Sequence, residues 1–284
     1  MTVFCLGSIN ADFIYEVSHI PQRGETVLAH GLFRTLGGKG ANQSVAAVRA
    51  GAEVRHIGMV GPDGAWCVEA LAGSGVDVRH VGEAGQPTAH ANITVEPSGE
   101  NAITVFPGAN HAQSPARIEA ALAEAEPGDW LMLQNETTLQ AEAAQSARAR
   151  GMQVAYSAAP FDEAAVRAVL PHVTLLIMNA VEAAQLAGAM GDPGAVRQVI
   201  TKGPDGAEWR DVDLQIAVTA PHVRAVDTTG AGDTFAGYLV AGLSGGLAPK
   251  AALQRAVRAA ALQVTKPGTA EAIPTLDEVR SFSG

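Results

Sequence analysis

One run in the chain places a carboxylate directly after two closely spaced glycines, Asp227-Thr-Thr-Gly-Ala-Gly-Asp233. Phe235, Leu239, Val240 and Leu243 follow at helical spacing, and Gly245-Gly246 ends that pattern. The run therefore predicts a loop opening into a helix. Gly230 and Gly232, with Ala231 between them, allow a tight turn and let backbone N–H groups come close to a ligand. Unpaired N–H groups at a helix start suit an anion such as a phosphate. A carboxylate there repels a bound phosphate in its ground state. Asp233 makes chemical sense as a base that takes a proton from an attacking hydroxyl while the amides hold the transferring group. The plainer alternative is an aspartate that complements the helix dipole.

Two further motifs point to a polyhydroxylated ligand. Gly37-Gly-Lys-Gly-Ala-Asn-Gln43 leads into a helix but lacks the spacing of a Walker A loop. Lys39 and Asn42 are three apart, so both can face one side of the helix start, beside the bare backbone of Gly38. The alternative is a glycine-rich helix cap. Gly7-Ser-Ile-Asn-Ala-Asp12 follows the first apolar run, where ligands bind in α/β sheets. Asn10 and Asp12 share a face in extended chain, and a carboxylate accepts two hydroxyls; an Asx-turn is the alternative. Asn135-Glu136 and the pair Asn179 and Glu182 also follow predicted strands, where helix capping is the ordinary use of such residues. Thr201-Lys-Gly-Pro-Asp-Gly206 reads as a turn. The eight histidines show no zinc-ligand spacing, and neither a Gly-x-Ser-x-Gly elbow nor a nicotinamide-binding glycine fingerprint occurs.

The elements that must position these residues are legible in the pattern. Val3–Leu6 and Val54–Val60 read as buried strands, and residues 41–50 as a helix ended by Gly51. Runs at 91–95 and 102–106 flank Pro97-Ser-Gly-Glu100, a hairpin signal. Helix and strand then alternate: helices near 115–126, 139–150 and 163–169, and strands at 130–134, 153–156 and 174–178. A helix begins near Ala180, a strand lies near 198–201, and edge-type strands run to Val226. The last clear helix is 251–264. This alternation predicts an α/β fold with a mainly parallel central sheet covered by helices on both faces. Two β insertions, near 11–36 and 88–107, read as antiparallel strands that form a small sheet over the site.

Composition narrows the classes. The chain has 284 residues, 47% apolar, with net charge −10 from 19 basic and 29 acidic residues. A full core needs no metal or disulfide. The absence of a basic block argues against nucleic acid as a partner. Cys5 and Cys67, the only two cysteines, read as small core hydrophobes. The N-terminus lacks a signal-peptide pattern, and no apolar run approaches the roughly 18 residues of a membrane span. The expectation is a cytoplasmic protein with no membrane partner.

The three glycine-bearing motifs, in this order and at these separations, resemble the ribokinase family of carbohydrate kinases (the PfkB type), from Val3 to Pro274. The resemblance implies a single αβα domain, residues 1–284, with a β lid, and a kinase that uses ATP to phosphorylate a primary hydroxyl of a pentose. It implies that Asn10, Asp12, Gly38, Lys39, Asn42 and Glu136 contact the sugar, that Asp233 is the catalytic base and that Gly230-Ala231-Gly232 is the anion hole. Asn179, Thr201, Lys202, Gly203 and Gly206 would lie along the nucleotide. Glu182 would position Mg2+ through water. Asp227, the Thr229 carbonyl, and the Lys266–Gly268 and Ala272 region would hold a monovalent cation, K+. A homodimer through lid edges follows from exposed strand edges. The chain departs from the pattern at Ser157-Ala-Ala-Pro160, at Val257 near the adenine, at Ala272, and in a trimmed segment from Asn179 to Thr201. The competing readings are a kinase of this family for a nucleoside or another sugar, a non-catalytic sugar sensor, and, more distantly, a dinucleotide oxidoreductase.

Overall fold

A computed structural model describes residues 1–191 and 193–282. Its strands are β1 (Val3–Leu6), β2 (Asn10–Glu16), β3 (Gly31–Gly37), β4 (Val54–Val60), β5 (Asp77–Glu83), β6 (Ala89–Val95), β7 (Asn101–Phe106), β8 (Trp130–Gln134), β9 (Gln153–Ser157), β10 (Leu175–Asn179), β11 (Arg197–Thr201), β12 (Ala207–Arg210) and β13 (Gln215–Val218). Its helices are α1 (Lys39–Arg49), α2 (Ala65–Gly73), α3 (Pro115–Leu122), α4 (Gln140–Ala149), α5 (Glu163–Val169), α6 (Ala180–Met190), α7 (Ala231–Ser244), α8 (Pro249–Gln263) and α9 (Leu276–Ser281). A nine-stranded sheet runs β13-β12-β11-β10-β9-β8-β1-β4-β5, and a separate four-stranded sheet runs β3-β2-β6-β7.

The large sheet is parallel from β11 to β5, with β12 and β13 added antiparallel. Side-chain alternation splits its central strands between two cores. Val3, Cys5, Trp130, Met132, Leu175 and Ile177 pack with α1, α7 and α8. Phe4, Leu6, Leu131, Leu133, Leu176 and Met178 pack with α3, α4, α5 and α6. Strands buried on both faces read as unbroken apolar runs, which is why they stand out in the sequence. The result is the three-layer αβα arrangement expected from the alternation of elements.

The small sheet departs from the antiparallel expectation. The β2–β3 and β6–β7 pairs are antiparallel, but β2 and β6 pair in parallel. The cause is topological. β2 and β6 follow directly from β1 and β5, which already point the same way in the large sheet. Strand structure also ends at Val218 rather than at Val226. The pattern gave no notice of β5, an edge strand rich in charged residues (Asp77-Val-Arg-His-Val-Gly-Glu), or of α9. The latter starts at a capping box between Thr275 and Glu278, a signal present in the sequence. Val257 is 4% exposed and packs in the main core.

Helix α1 is set against both β1 and α7 by small residues. A Cβ on Gly40 would lie 2.4 Å from the Gly7 Cα. One on Gly237 would lie 2.5 Å from both the Ala46 Cβ and the Gln43 carbonyl oxygen. Gly237→Ala is therefore expected to lower unfolding free energy by about 1–3 kcal/mol through overpacking, despite the better helix former. Gly188→Ala, on the exposed side of α6 with nothing among the described residues within 4 Å of the new Cβ, should instead gain roughly 0.5–1 kcal/mol. Urea denaturation of the two variants measures both; equal effects would refute this account of the α1–α7 contact.

Candidate active site

Asp233 lies in the first turn of α7 and is 8% exposed. A buried carboxylate needs donors, and α1 supplies them. Asn42 Nδ2 donates to Asp233 Oδ2 at 3.1 Å, and Gln43 Nε2 donates to Oδ1 at 3.0 Å. Gln43 is fixed in turn by Gln134, whose Nε2 donates to the Gln43 Oε1 at 2.8 Å. Burial raises the Asp233 pKa, against the opposing pull of Lys39, Gln43 and Asn42. Lys39 is raised in turn, chiefly by Asp233, so it stays an ammonium. Gly230, the residue before α7, takes φ 75°, a left-handed conformation that suits glycine. The N–H groups of Gly230, Gly232 and Asp233 have no protein acceptor among the described residues. A carboxylate and an open cradle of donors thus share one helix start.

The β1 and β8 ends meet the N-terminus of α1. Glu136 Oε2 accepts from the Ser8 hydroxyl at 2.5 Å and from the Lys39 N–H at 3.0 Å, and the Lys39 ammonium is 3.9 Å from Oε1. Gly38 precedes α1 at φ 91°. Asn10 Oδ1 accepts from the Asn110 amide at 2.8 Å. Asp12 projects from β2 and is 8% exposed. Two buried oxygens, Asp12 Oδ1 and Asn42 Oδ1, lack a hydrogen-bond partner among the described residues. Unpaired buried acceptors are costly, and hydroxyl donors from a ligand would satisfy both.

A cavity of about 150 Å³ opens beside Asp233. It is lined by Lys39, Asn179, Glu182, Thr201, Gly230, Gly232 and Asp233 among others, but by neither Asn10 nor Asp12. Asn179 and Glu182 also form the capping box of α6, with both hydrogen bonds at 2.8 Å. Burial raises the Glu182 pKa. Lys202 leaves the cavity to pair with Glu208, and Gly203 and Gly206 bound a tight turn beyond it. A larger space of about 900 Å³ lies between α6 and β11–β13, around Leu186, Trp209 and Ile216, and holds none of these groups. The groups singled out in the sequence line the smaller cavity instead.

The residues flanking the cradle converge as well. Asp227 Oδ1 accepts from the Thr229 N–H at 2.9 Å and Oδ2 from the Gly268 N–H at 3.1 Å. Lys266 turns away to Glu278 at 2.8 Å. Gln263 donates to the Thr229 carbonyl at 3.0 Å.

Sequence patterns passed over Ser8, Gln134, Asn110 and Gln263 as functional candidates. Ser8 and Gln43 sit inside motifs already singled out. Asn110 and Gln263 carried no signal, because their partners are distant in the chain. Burial, with Glu136 beside it, pushes the Asp12 carboxyl up to about 7 from 3.8. Its ionisation in the fold therefore costs stability: the penalty is nil below the unfolded value, grows between 3.8 and about 7, and is full above. Without ligand, Asp12→Asn is expected to melt above the parent at about pH 8 and to match it at about pH 4. Equal melting differences at both pH values, by calorimetry, would overturn this.

A family model described as pfkB family carbohydrate kinase matches residues 2–276. The chain is 35% identical over 299 residues to a ribokinase of Haemophilus influenzae, covering 99% of this chain and 98% of the relative. It is 31% identical over 289 residues to a ribokinase of Bacillus subtilis, covering 98% of this chain and 97% of the relative. Among solved structures, Arabidopsis thaliana ribokinase complexed with ribose and ATP is similar with TM-score 0.88 and 26% identity over 99% of each chain. With the αβα fold, the α7 cradle and these likenesses in agreement, the chain belongs to the pfkB family of carbohydrate kinases.

Proposed function

We propose that this protein is an ATP-dependent sugar kinase that phosphorylates the primary hydroxyl of a pentose, ribose being the best-supported substrate, to give ribose 5-phosphate. One observation carries the reading. Asp233 lines the cavity that suits a phosphate and is bonded to Asn42, whose own oxygen, like Asp12 Oδ1, is buried with no hydrogen-bond partner among the described residues. The carboxylate stands at the boundary between a place for hydroxyls and a place for phosphate. Ribokinase relatives along the full chain support the sugar.

In this reading Asn10, Asp12, Gly38, Lys39, Asn42 and Glu136 hold the sugar hydroxyls. Asp233 accepts the proton of the primary hydroxyl, whose oxygen attacks the γ-phosphorus in line while ADP leaves. The N–H groups of Gly230, Gly232 and Asp233 and the Lys39 ammonium stabilise charge on the transferring group. Asn179 and the turn from Thr201 to Gly206 lie along the nucleotide. Magnesium, when bound with the nucleotide, neutralises phosphate charge. Glu182 fits a role toward it through water, since it faces the cavity with one oxygen free of protein partners among the described residues. Potassium is a different case, because oxygens beside the cradle already have protein donors.

The small sheet, inserted at about 11–36 and 88–107, acts as a lid over the sugar. Its edge strands β3 and β7 expose Leu32, Phe33, Ile103 and Val105, a surface that supports pairing with a second copy. Sedimentation analysis is expected to show a dimer that Phe33→Glu combined with Val105→Glu splits. A monomeric parent protein rules that interface out.

Asp233→Asn is expected to cut turnover by about 10²–10⁴-fold, the usual share of a general base, while sugar affinity stays near that of the parent. Rapid-quench measurement of sugar phosphate with a pentose, hexose and nucleoside panel tests both points. Unchanged turnover sinks the base assignment, and no pentose product sinks the substrate.

A further inference from the structure

Gln263, at the C-terminus of α8, is fully buried and makes three hydrogen-bond contacts with groups around the cradle. Its Nε2 donates to the Thr229 carbonyl at 3.0 Å and reaches the Thr269 carbonyl at 3.5 Å; its Oε1 accepts from the Thr234 hydroxyl. Two backbone carbonyls can only accept, so the amide nitrogen must face them.

The Thr229 carbonyl belongs to the same peptide plane as the Gly230 N–H, and in a trans peptide the two point in opposite directions. A donor that holds the carbonyl inward therefore aims the Gly230 N–H outward, toward the cavity, and polarises it. A cation on that carbonyl has the same effect. Several oxygens around the cradle already carry protein donors. Both Asp227 oxygens accept backbone N–H groups, and the Thr269 carbonyl also accepts from Ala272 at 3.1 Å. Ala272 is buried and offers no side-chain oxygen. Hard cations bind where several oxygens converge free of other partners, and the Thr229 carbonyl and the Asp227 carboxylate, which already hold N–H donors, meet that demand poorly.

We propose that the Gln263 carboxamide is a positioning residue that takes the place of a monovalent cation behind the anion cradle, so that phosphoryl transfer by this chain is independent of potassium. The proposal rests on the kinase reading. The loop it braces also meets the small sheet, through Thr269 Oγ1 on the Leu36 carbonyl at 3.4 Å and through Glu271 on Thr35. The carboxamide thus ties the cradle to the element that covers the sugar.

The test compares turnover in potassium chloride and in tetramethylammonium chloride at equal ionic strength. ADP and sugar phosphate are measured directly by chromatography, so that no coupling enzyme responds to the salt. For the parent protein the two salts should differ by less than about 5-fold, below the usual range of effector coupling. Gln263→Ala should lose about 10-fold or more of kcat in tetramethylammonium, with the sugar KM unchanged, and potassium should restore part of it. Gln263→Glu keeps the shape but sets an acceptor against the Thr229 carbonyl, and should behave likewise. The melting temperatures of both variants, but not of the parent, should rise in potassium. Where Gln263→Ala fails to fold, the parent and Gln263→Glu decide. Stimulation of the parent by 10-fold or more overturns the proposal, and so do variants that match the parent in both salts or stay slow in both. Absence of turnover by the parent in either salt, with every sugar, defeats the kinase reading instead.

Discussion

The buried carboxylate of Asp233 is the constraint on which the site depends. A charge in that position is tolerated only while donors face both of its oxygens, and those donors, Asn42 and Gln43, belong to a different helix. Their reach is short, so α1 must lie against α7 with almost no side-chain volume between them. Gly237 against Ala46, and Gly40 against Gly7, make that approach available. Packing of the smallest residues in the chain thus sets the placement of its most demanding charge.

The rest of the site follows from strand order. The ends of β1, β8, β10 and β11 supply Ser8, Glu136, Asn179 and Thr201 along one edge of the large sheet, where parallel α/β folds bind ligands. β2 leaves β1 directly and carries Asp12 across to the small sheet. The loop after α8 touches both systems, by Gly268 on Asp227 and by Thr269 on Leu36. The small sheet and the start of α7 are therefore mechanically joined rather than merely adjacent.

What could be read from the sequence was whatever is local. The doubly buried strands announced themselves as apolar runs, and Gly230-Ala-Gly-Asp233 announced a loop and helix start. The family resemblance added roles that spacing alone left open, such as that of Glu136. Illegible were the relations between distant segments. The parallel pairing of β2 with β6 comes from the direction of β1 and β5, which no local pattern encodes. Asn110 matters because it reaches Asn10, and Gln263 because it reaches Thr229; each looks ordinary among its own neighbours. The charged edge strand β5 lacked the apolar run that marked the inner strands.

The bond between Asn42 and Asp233 spans 191 positions. A growing polypeptide emerging from the ribosome can form β1 and α1 early, yet it lacks the carboxylate they are built to receive until α7 has been made. Prematurely terminated products that end before α7 leave the Asn42 and Gln43 amides without that carboxylate and the α1 face that α7 covers open to solvent.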